Sequence, residues 1–344
     1  MLLRNLWYVA GFSRDLPAGQ KVARKFLGES VVLFRTDAGE LGALEDRCCH
    51  RAMPLSDGFV DGSIIRCCYH GIEFDKTGAC TRIPGQDRIP AAAFVRSYPI
   101  FEKNAVLFIW MGDPAQADPA TAPSHRWHSD ENWAWSGKHY ALKANWQLLV
   151  DNLMDLTHLA YVHARTIGGN PEMHFRTHTQ VKREGNTVTA YRHMPNSIPP
   201  RTYVDAAGFK GDIDRWQEIE FEPMVIRVLT GGCEVGTGAY EGKRDHAFQM
   251  VFMHAMTPES EDTTHYMWTA ATNRIDRGIP EIVFKQIDAT IDEDTAVLES
   301  QQRRMSETPG GKLVDIAGDN ASNQVRHVIA GMFEAERNTA AAAE

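Results

Sequence analysis

Two short loops constrain this chain more than any other feature. The first begins "RCCHRAMPLSDG" at Arg47 and the second "RCCYHG" at Arg66. Taking one cysteine from each adjacent pair gives Cys48-x-His50, sixteen intervening residues, and Cys67-x-x-His70. Six cysteines in 344 residues make no disulfide scaffold. Clustered with histidines in a reducing compartment, they point to a bound metal. Gly58, Gly62, Gly71 and Gly78 permit the tight loops this requires, and Pro54 and Pro84 can fix and cover them.

Zinc accepts two cysteines and two histidines, so a structural zinc site fits the composition. Zinc fingers, however, usually place both cysteines in one knuckle and both histidines in the other. Here each loop supplies one of each. That arrangement suits a Rieske [2Fe-2S] centre, in which two thiolates hold one iron and two imidazoles the other. Cys49 and Cys68 are then surplus, and are expected to pack as small apolar groups.

With 43% hydrophobic and 24% charged residues, the chain reads as globular rather than disordered. A net charge of -9 disfavours a nucleic-acid partner, which needs a basic face. The opening "MLLRNLWYVAGFSRDLP" carries Arg4 and Asn5 within its apolar stretch and makes a poor signal peptide. "AVLFIWM" from Ala105 is far shorter than the roughly 20 residues a membrane helix needs. A cytoplasmic protein without membrane attachment is expected.

The fold class expected is α+β. Residues 1–112 alternate short β-rich runs with turns, including hairpin signals at Asp37-Ala38-Gly39 and Lys103-Asn104. Residues 113–127, rich in Pro, Ala and Asp, read as a linker. In residues 128–344, a long helical period over Asn145–His163 precedes strands such as "VIRVLT", "AFQMVFMHAMT" and "THYMWTAAT". A final long helix follows from about Pro280 to Met305, and the alanine-rich end is expected to fray. An antiparallel sheet with flanking helices results.

The helical period carries a second candidate metal site. Asp151, Asp155 and His158 stand at i, i+4 and i+7, one face of a regular helix. His163 lies five residues beyond His158, about 140° around. For both rings to reach one ion, the helix is expected to unwind between Leu159 and His163. Two histidines with one carboxylate suit non-haem Fe(II) and leave positions open for oxygen. The apolar stripe Ile287, Ile291, Leu298 contains Asp294, which makes it the acid on the buried side, with Asp292 and Glu293 toward polar faces.

"CCHRAMPLSDG" with "CCYHGIEFDKTGACTRIPGQ" resembles the Rieske half of the Rieske non-haem iron oxygenases. The opening "RNLWYVA" is similar to the start of the vanillate O-demethylase group, which includes the dicamba and toluenesulfonate methyl-monooxygenases. The resemblance implies an all-β Rieske domain, with Cys48, His50, Cys67 and His70 as cluster ligands, ahead of a catalytic domain. There "ED" before "LExQQ" places the iron carboxylate at Asp294, beside His158 and His163.

It further implies that Asp155, assisted by Asn152, links His158 to His70 of a neighbouring subunit in a homotrimer. O2, an aromatic acid such as vanillate, and O-demethylation or methyl hydroxylation also follow from it. Since no G-x-G-x-x-G lies between a strand and a helix, electrons from NAD(P)H must come through a partner; in the resembling systems this is an iron-sulfur flavoprotein reductase. Arg227, inside an apolar strand, could pair with a substrate acid or with a protein acid. His254 matches a substrate-contacting position in an "H-x-x-T-P-E" pattern, and could equally be a core histidine. Ring dihydroxylation with the same metals, and a Rieske electron carrier without mononuclear iron, remain alternatives.

Overall fold

A computed structural model describes residues 2–164, 166–167, 177–276 and 278–343. The chain divides into two compact units, Met1–Ser124 with Thr257–Ser260, and His125–Met256 with Glu261–Glu344.

In the first unit the described residues form strands β1 (Trp7–Phe12), β2 (Lys21–Phe26), β3 (Glu29–Arg35), β4 (Leu41–Glu45), β5 (Phe59–Asp61), β6 (Ile64–Arg66), β7 (Glu73–Asp75), β8 (Cys80–Arg82), β9 (Ile100–Lys103) and β10 (Val106–Trp110). They pair as three antiparallel sheets, ordered β1-β10-β9, β2-β3-β4 and β5-β6-β7-β8. Both anticipated hairpins form. In the second, Asn104 and Ala105 take φ of 52° and 61°, the mirror-image turn whose twist matches its strands. Val32, Phe34, Leu44, Leu55, Ile65 and Phe74 pack in one apolar cluster that also holds Cys48 and Cys67. The stretch after Gly112 coils into single 3-10 turns, Pro114–Gln116 and Pro119–Thr121. Asp113 and Asp118 cap them by accepting from Ala115 N and Ala120 N at 3.0 and 2.9 Å.

The second unit is built on a seven-stranded antiparallel sheet. Its strands are β11 (Ala134–Leu142), β12 (Gln180–Glu184), β13 (Thr187–Ser197), β14 (Ile213–Glu222), β15 (Val225–Glu234), β16 (Phe248–Pro258) and β17 (Thr264–Thr272), ordered β11-β17-β16-β15-β14-β13-β12. The described α-helices are α1 (Trp146–Met154), α2 (Leu159–Val162), α3 (Arg201–Ala207), α4 (Ile279–Glu307) and α5 (Asn320–Ala343), with single 3-10 turns between some elements. Val283, Ile287, Ile291 and Leu298 of α4 are buried at helical spacing, and Asp294 sits in that stripe at 5% exposure.

The sequence reading missed α5. Val325, Val328 and Ile329 bury its inner face, and the helix continues through the alanines that were expected to fray, alanine having the highest helix propensity. Among the described residues no helix is long and apolar enough to cross a membrane.

Candidate metal centres and the adjoining cavity

The two cysteine-histidine loops share one backbone plan. Cys48 N donates to Met53 O at 2.8 Å and accepts, through its carbonyl, from Ala52 N at 3.1 Å; Cys67 repeats this with Ile72 O at 2.9 Å and Gly71 N at 3.0 Å. The fifth residue of each loop turns left-handed, Ala52 at φ 56° and Gly71 at 71°. A side chain at Gly71 would also bring a Cβ within 3.1 Å of Pro84, which explains glycine there. Both thiols are buried at 2% exposure while the two imidazoles are exposed.

His50 Nδ1 and His70 Nδ1 lie 3.2 Å apart. Two nitrogens bound to one ion at about 2.1 Å with a tetrahedral angle would be separated by roughly 3.4 Å, so the pair fits a shared metal. Burial, with Cys67 and Cys49 close by, pushes the Cys48 thiol up to about 11. Such a thiol ionises when a cation arrives, as cluster ligation requires. Contrary to expectation, Cys49 and Cys68 are exposed rather than packed: the loops turn their neighbours Cys48 and Cys67 inward and leave these two facing out.

The second site departs from the expected helix. The helix ends at Met154, and Asp155 is extended, with φ -94° and ψ 119°. Its Oδ1 accepts from Thr157 N at 2.6 Å, a local turn that competes with helix continuation. The break therefore falls at Asp155–His158, and Leu159–Val162, where unwinding was anticipated, forms a single helical turn. Asp151, Asp155 and His158 share no helical face; Asp151 instead pairs with Arg326 at 2.5 Å. His158 and His163 flank the short turn, and freed from a longer helix their rings converge.

Ligand atoms of His158, His163 and Asp294 all lie within 4.8 Å of one another. Asp294 Oδ1 stands 3.6 Å from His158 Nε2 and 3.1 Å from His163 Nε2. Asn152 Nδ2 donates to the same oxygen at 3.2 Å. The outward nitrogens face other acids: His163 Nδ1 donates to Glu293 Oε2 at 2.8 Å, and His158 Nδ1 is 4.0 Å from Asp155 Oδ2. Glu293, so placed, fixes the His163 tautomer that offers Nε2 to a metal. Burial lowers the His158 pKa, partly offset by Asp294; for His163 the opposing pull of Asp294 and Glu293 outweighs burial and raises it. A buried histidine and carboxylate cluster of this composition could hold Fe(II).

Glu293 lies toward a polar face as expected, but its contact with His163 is a role that the sequence reading missed. It is partly exposed, with Thr166 Oγ1 donating to it at 2.8 Å, and nothing in a helical stripe distinguishes it from a solvated acid.

A cavity of about 90 Å³ adjoins the triad, room for several waters or one small ring. Leu156, Ile219, Val228, Phe252, Ile287 and Ile291 make it largely apolar, and His254, Tyr203, Gln217, Thr230 and Arg215 add polar groups. His254 accepts its place there: Nδ1 lies 2.7 Å from the Tyr266 hydroxyl, and burial pushes it down to about 4, so it is neutral at pH 7. Arg227 is corrected as a substrate ligand. It is not among the residues lining the cavity, and its guanidinium is taken by Glu220 and, at 3.1 Å, Glu222 on the adjacent strand β14.

Comparison with known families bears on both centres. The Rieske [2Fe-2S] domain family matches residues 6–99, and the vanillate O-demethylase oxygenase C-terminal domain family matches residues 142–335. The chain belongs to the vanillate O-demethylase oxygenase family. This Rieske oxygenase is 37% identical to the toluene-4-sulfonate monooxygenase system iron-sulfur subunit of Comamonas testosteroni, over 98% of each chain. It is 34% identical to the vanillate O-demethylase oxygenase subunit of Pseudomonas sp. (strain HR199 / DSM 7063), over 100% of this chain and 98% of the other. Its fold matches dicamba monooxygenase bound to 3,6-dichlorosalicylic acid with a TM-score of 0.91 at 30% identity, covering 98% and 99% of the two chains. The oxygenase is thus an oxidoreductase of the monooxygenase kind, with a Rieske [2Fe-2S] domain ahead of a domain built for non-haem iron.

Proposed function

We propose that this oxygenase is the terminal component of a multicomponent monooxygenase that hydroxylates a methoxy or methyl substituent of an aromatic acid. The observation that carries the reading is the convergence of His158, His163 and Asp294 beside a mostly apolar cavity. Residues 1–112 would serve electron entry and residues 128–344 the chemistry, with residues 113–127 between them.

Cys48, Cys67, His50 and His70 would hold the Rieske cluster, and His158, His163 and Asp294 the iron. When bound, the cluster supplies single electrons and the iron supplies oxygen activation. The chain's own residues do the rest. Asn152 holds the Asp294 carboxylate, Glu293 orients His163, and the apolar cavity walls keep water from the reacting carbon. His254, neutral and anchored on Tyr266, presents a polar group without adding charge. Oxidation of an O-methyl carbon leaves a hemiacetal that collapses to a phenol and formaldehyde; an aryl methyl leaves a benzylic alcohol.

Asp155 lies beside His158 Nδ1, a buried nitrogen with no hydrogen-bond partner among the described residues. This is the group that would bridge His158 to His70 of the partner subunit, in a homotrimer. A cytoplasmic setting, with NAD(P)H delivered through an iron-sulfur flavoprotein reductase, completes the reading. Turnover of aromatic acids with purified reductase tests it: formaldehyde or a benzylic alcohol is expected, and a ring cis-diol would contradict it.

A further inference from the structure

The cavity contains a buried cation that the chemistry above does not use. Arg215 is 5% exposed and lines the cavity, and its Nε has no hydrogen-bond partner. Among the described residues no acidic side chain forms an ion pair with it. A buried guanidinium without an anion is costly, and a planar fork of donors matches a carboxylate or sulfonate.

The surroundings hold this group in place without neutralising it. Its carbon lies 5.2 Å from the ring centre of Tyr203. Tyr203 can approach because β15 carries Gly232 opposite Arg215, where a Cβ would come within 3.3 Å of the tyrosine ring and 2.6 Å of Ile213. The tyrosine hydroxyl is fixed in turn: Thr230 Oγ1 donates to Trp216 O at 2.8 Å, so at 2.6 Å it accepts from Tyr203. Behind Arg215 stands a second buried guanidinium, Arg192, which burial and the charge of Arg215 push down to about 10. Arg192 Nη2 donates to Gln217 Oε1 at 2.9 Å, leaving the Gln217 NH2 group as the remaining donor of a cavity-lining amide.

Arg215 and His254 line the same cavity from different positions along the sheet. Arg215 pairs across β15 with Gly232, whereas His254, which feels the charge of Asp294, pairs on the Phe221–Ile226 rung. On β14, Phe221 stands six positions beyond Arg215, so Arg215 and His254 meet the cavity from different rungs of the sheet.

We infer that Arg215, supported by Gln217, is the subsite that holds the acid group of the substrate, with the substituent to be oxidised directed toward the triad that lines the same cavity. This rests on the reading of the cavity as the substrate pocket. It replaces Arg227, whose charge is already paired.

Calorimetric binding to the iron-loaded holoenzyme, without reductase, tests the inference separately from turnover. The probes are para-methoxybenzoate and para-toluenesulfonate, each against its neutral amide. Wild type is expected to bind the better anion at least about tenfold tighter than its amide. Arg215→Gln should erase that preference while amide binding holds, Arg215→Lys should retain part of it, and Arg227→Gln should leave it intact. Equal binding of each anion and its amide by wild type, or an undiminished preference in Arg215→Gln with normal iron content, overturns the assignment. Should Arg215→Gln fail to fold, the wild-type pairs and Arg215→Lys decide by the same criteria. Product formation with no anion preference would sink this inference and leave the oxygenase reading standing; anion preference without product would do the reverse.

Discussion

The two candidate metal centres are built in opposite ways. The thiol-imidazole site comes from two loops with matched backbone hydrogen bonds, one joining two sheets and one a hairpin, its sulfurs buried in a core cluster and its imidazoles exposed. The triad joins a broken helix to a residue more than a hundred positions later, with His163 at 1% and Asp294 at 5% exposure. A site meant to pass electrons benefits from ligand edges at the surface. One meant to direct oxidation at a chosen carbon benefits from enclosure.

If that division is real, the centres should fail independently. The largest effect is expected from removing a ligand: Cys67→Ser should abolish the cluster and also destabilise the first unit, because this buried thiol is part of its core. Asp294→Ala should lose mononuclear iron, keep the reduced-cluster resonance and cut turnover by roughly three orders of magnitude. Loss of the cluster resonance in Asp294→Ala would break the comparison. Next, Asp155→Asn should retain both metals yet lower turnover about a hundredfold; iron analysis with single-turnover kinetics separates this from a ligand defect.

A smaller change is expected from Glu293→Gln, which removes the acid on His163 Nδ1. Iron affinity, measured by competition with a chelator, should weaken about tenfold or somewhat more, with the cluster untouched. Unchanged affinity would mean that Glu293 serves only the helix surface. The smallest effect concerns stability. Burial holds His254 near 4, below its usual value of about 6.5, so the unfolded chain binds more protons between those values. Stability should be full above about pH 6.5 and fall as pH drops toward 4, by a few kcal/mol at most. Thermal melts of wild type and His254→Gln check this: the substitution should flatten the slope.

The same contrast explains what the sequence made legible. The Rieske loops could be read because every ligand lies within 23 residues of the others and the spacing itself is diagnostic. Asp294 was readable because a charge inside an apolar stripe calls for a partner. The helix break was located wrongly, because periodicity over Asn145–His163 is blind to the turn that Asp155 makes with Thr157. Glu293 and Arg215 depend on tertiary neighbours. Arg215 sits between Asp214 and Trp216 and looks no different from Arg227, and only the sheet register tells which of the two faces acids and which faces the cavity.

Metal analysis of purified holoprotein, paired with resonance of the reduced cluster, tests the central claim most directly. Wild type should contain about three irons per chain and Asp294→Ala about two, with the same rhombic cluster resonance in both. About two irons in wild type, or zinc at the cysteines with no such resonance, would contradict it.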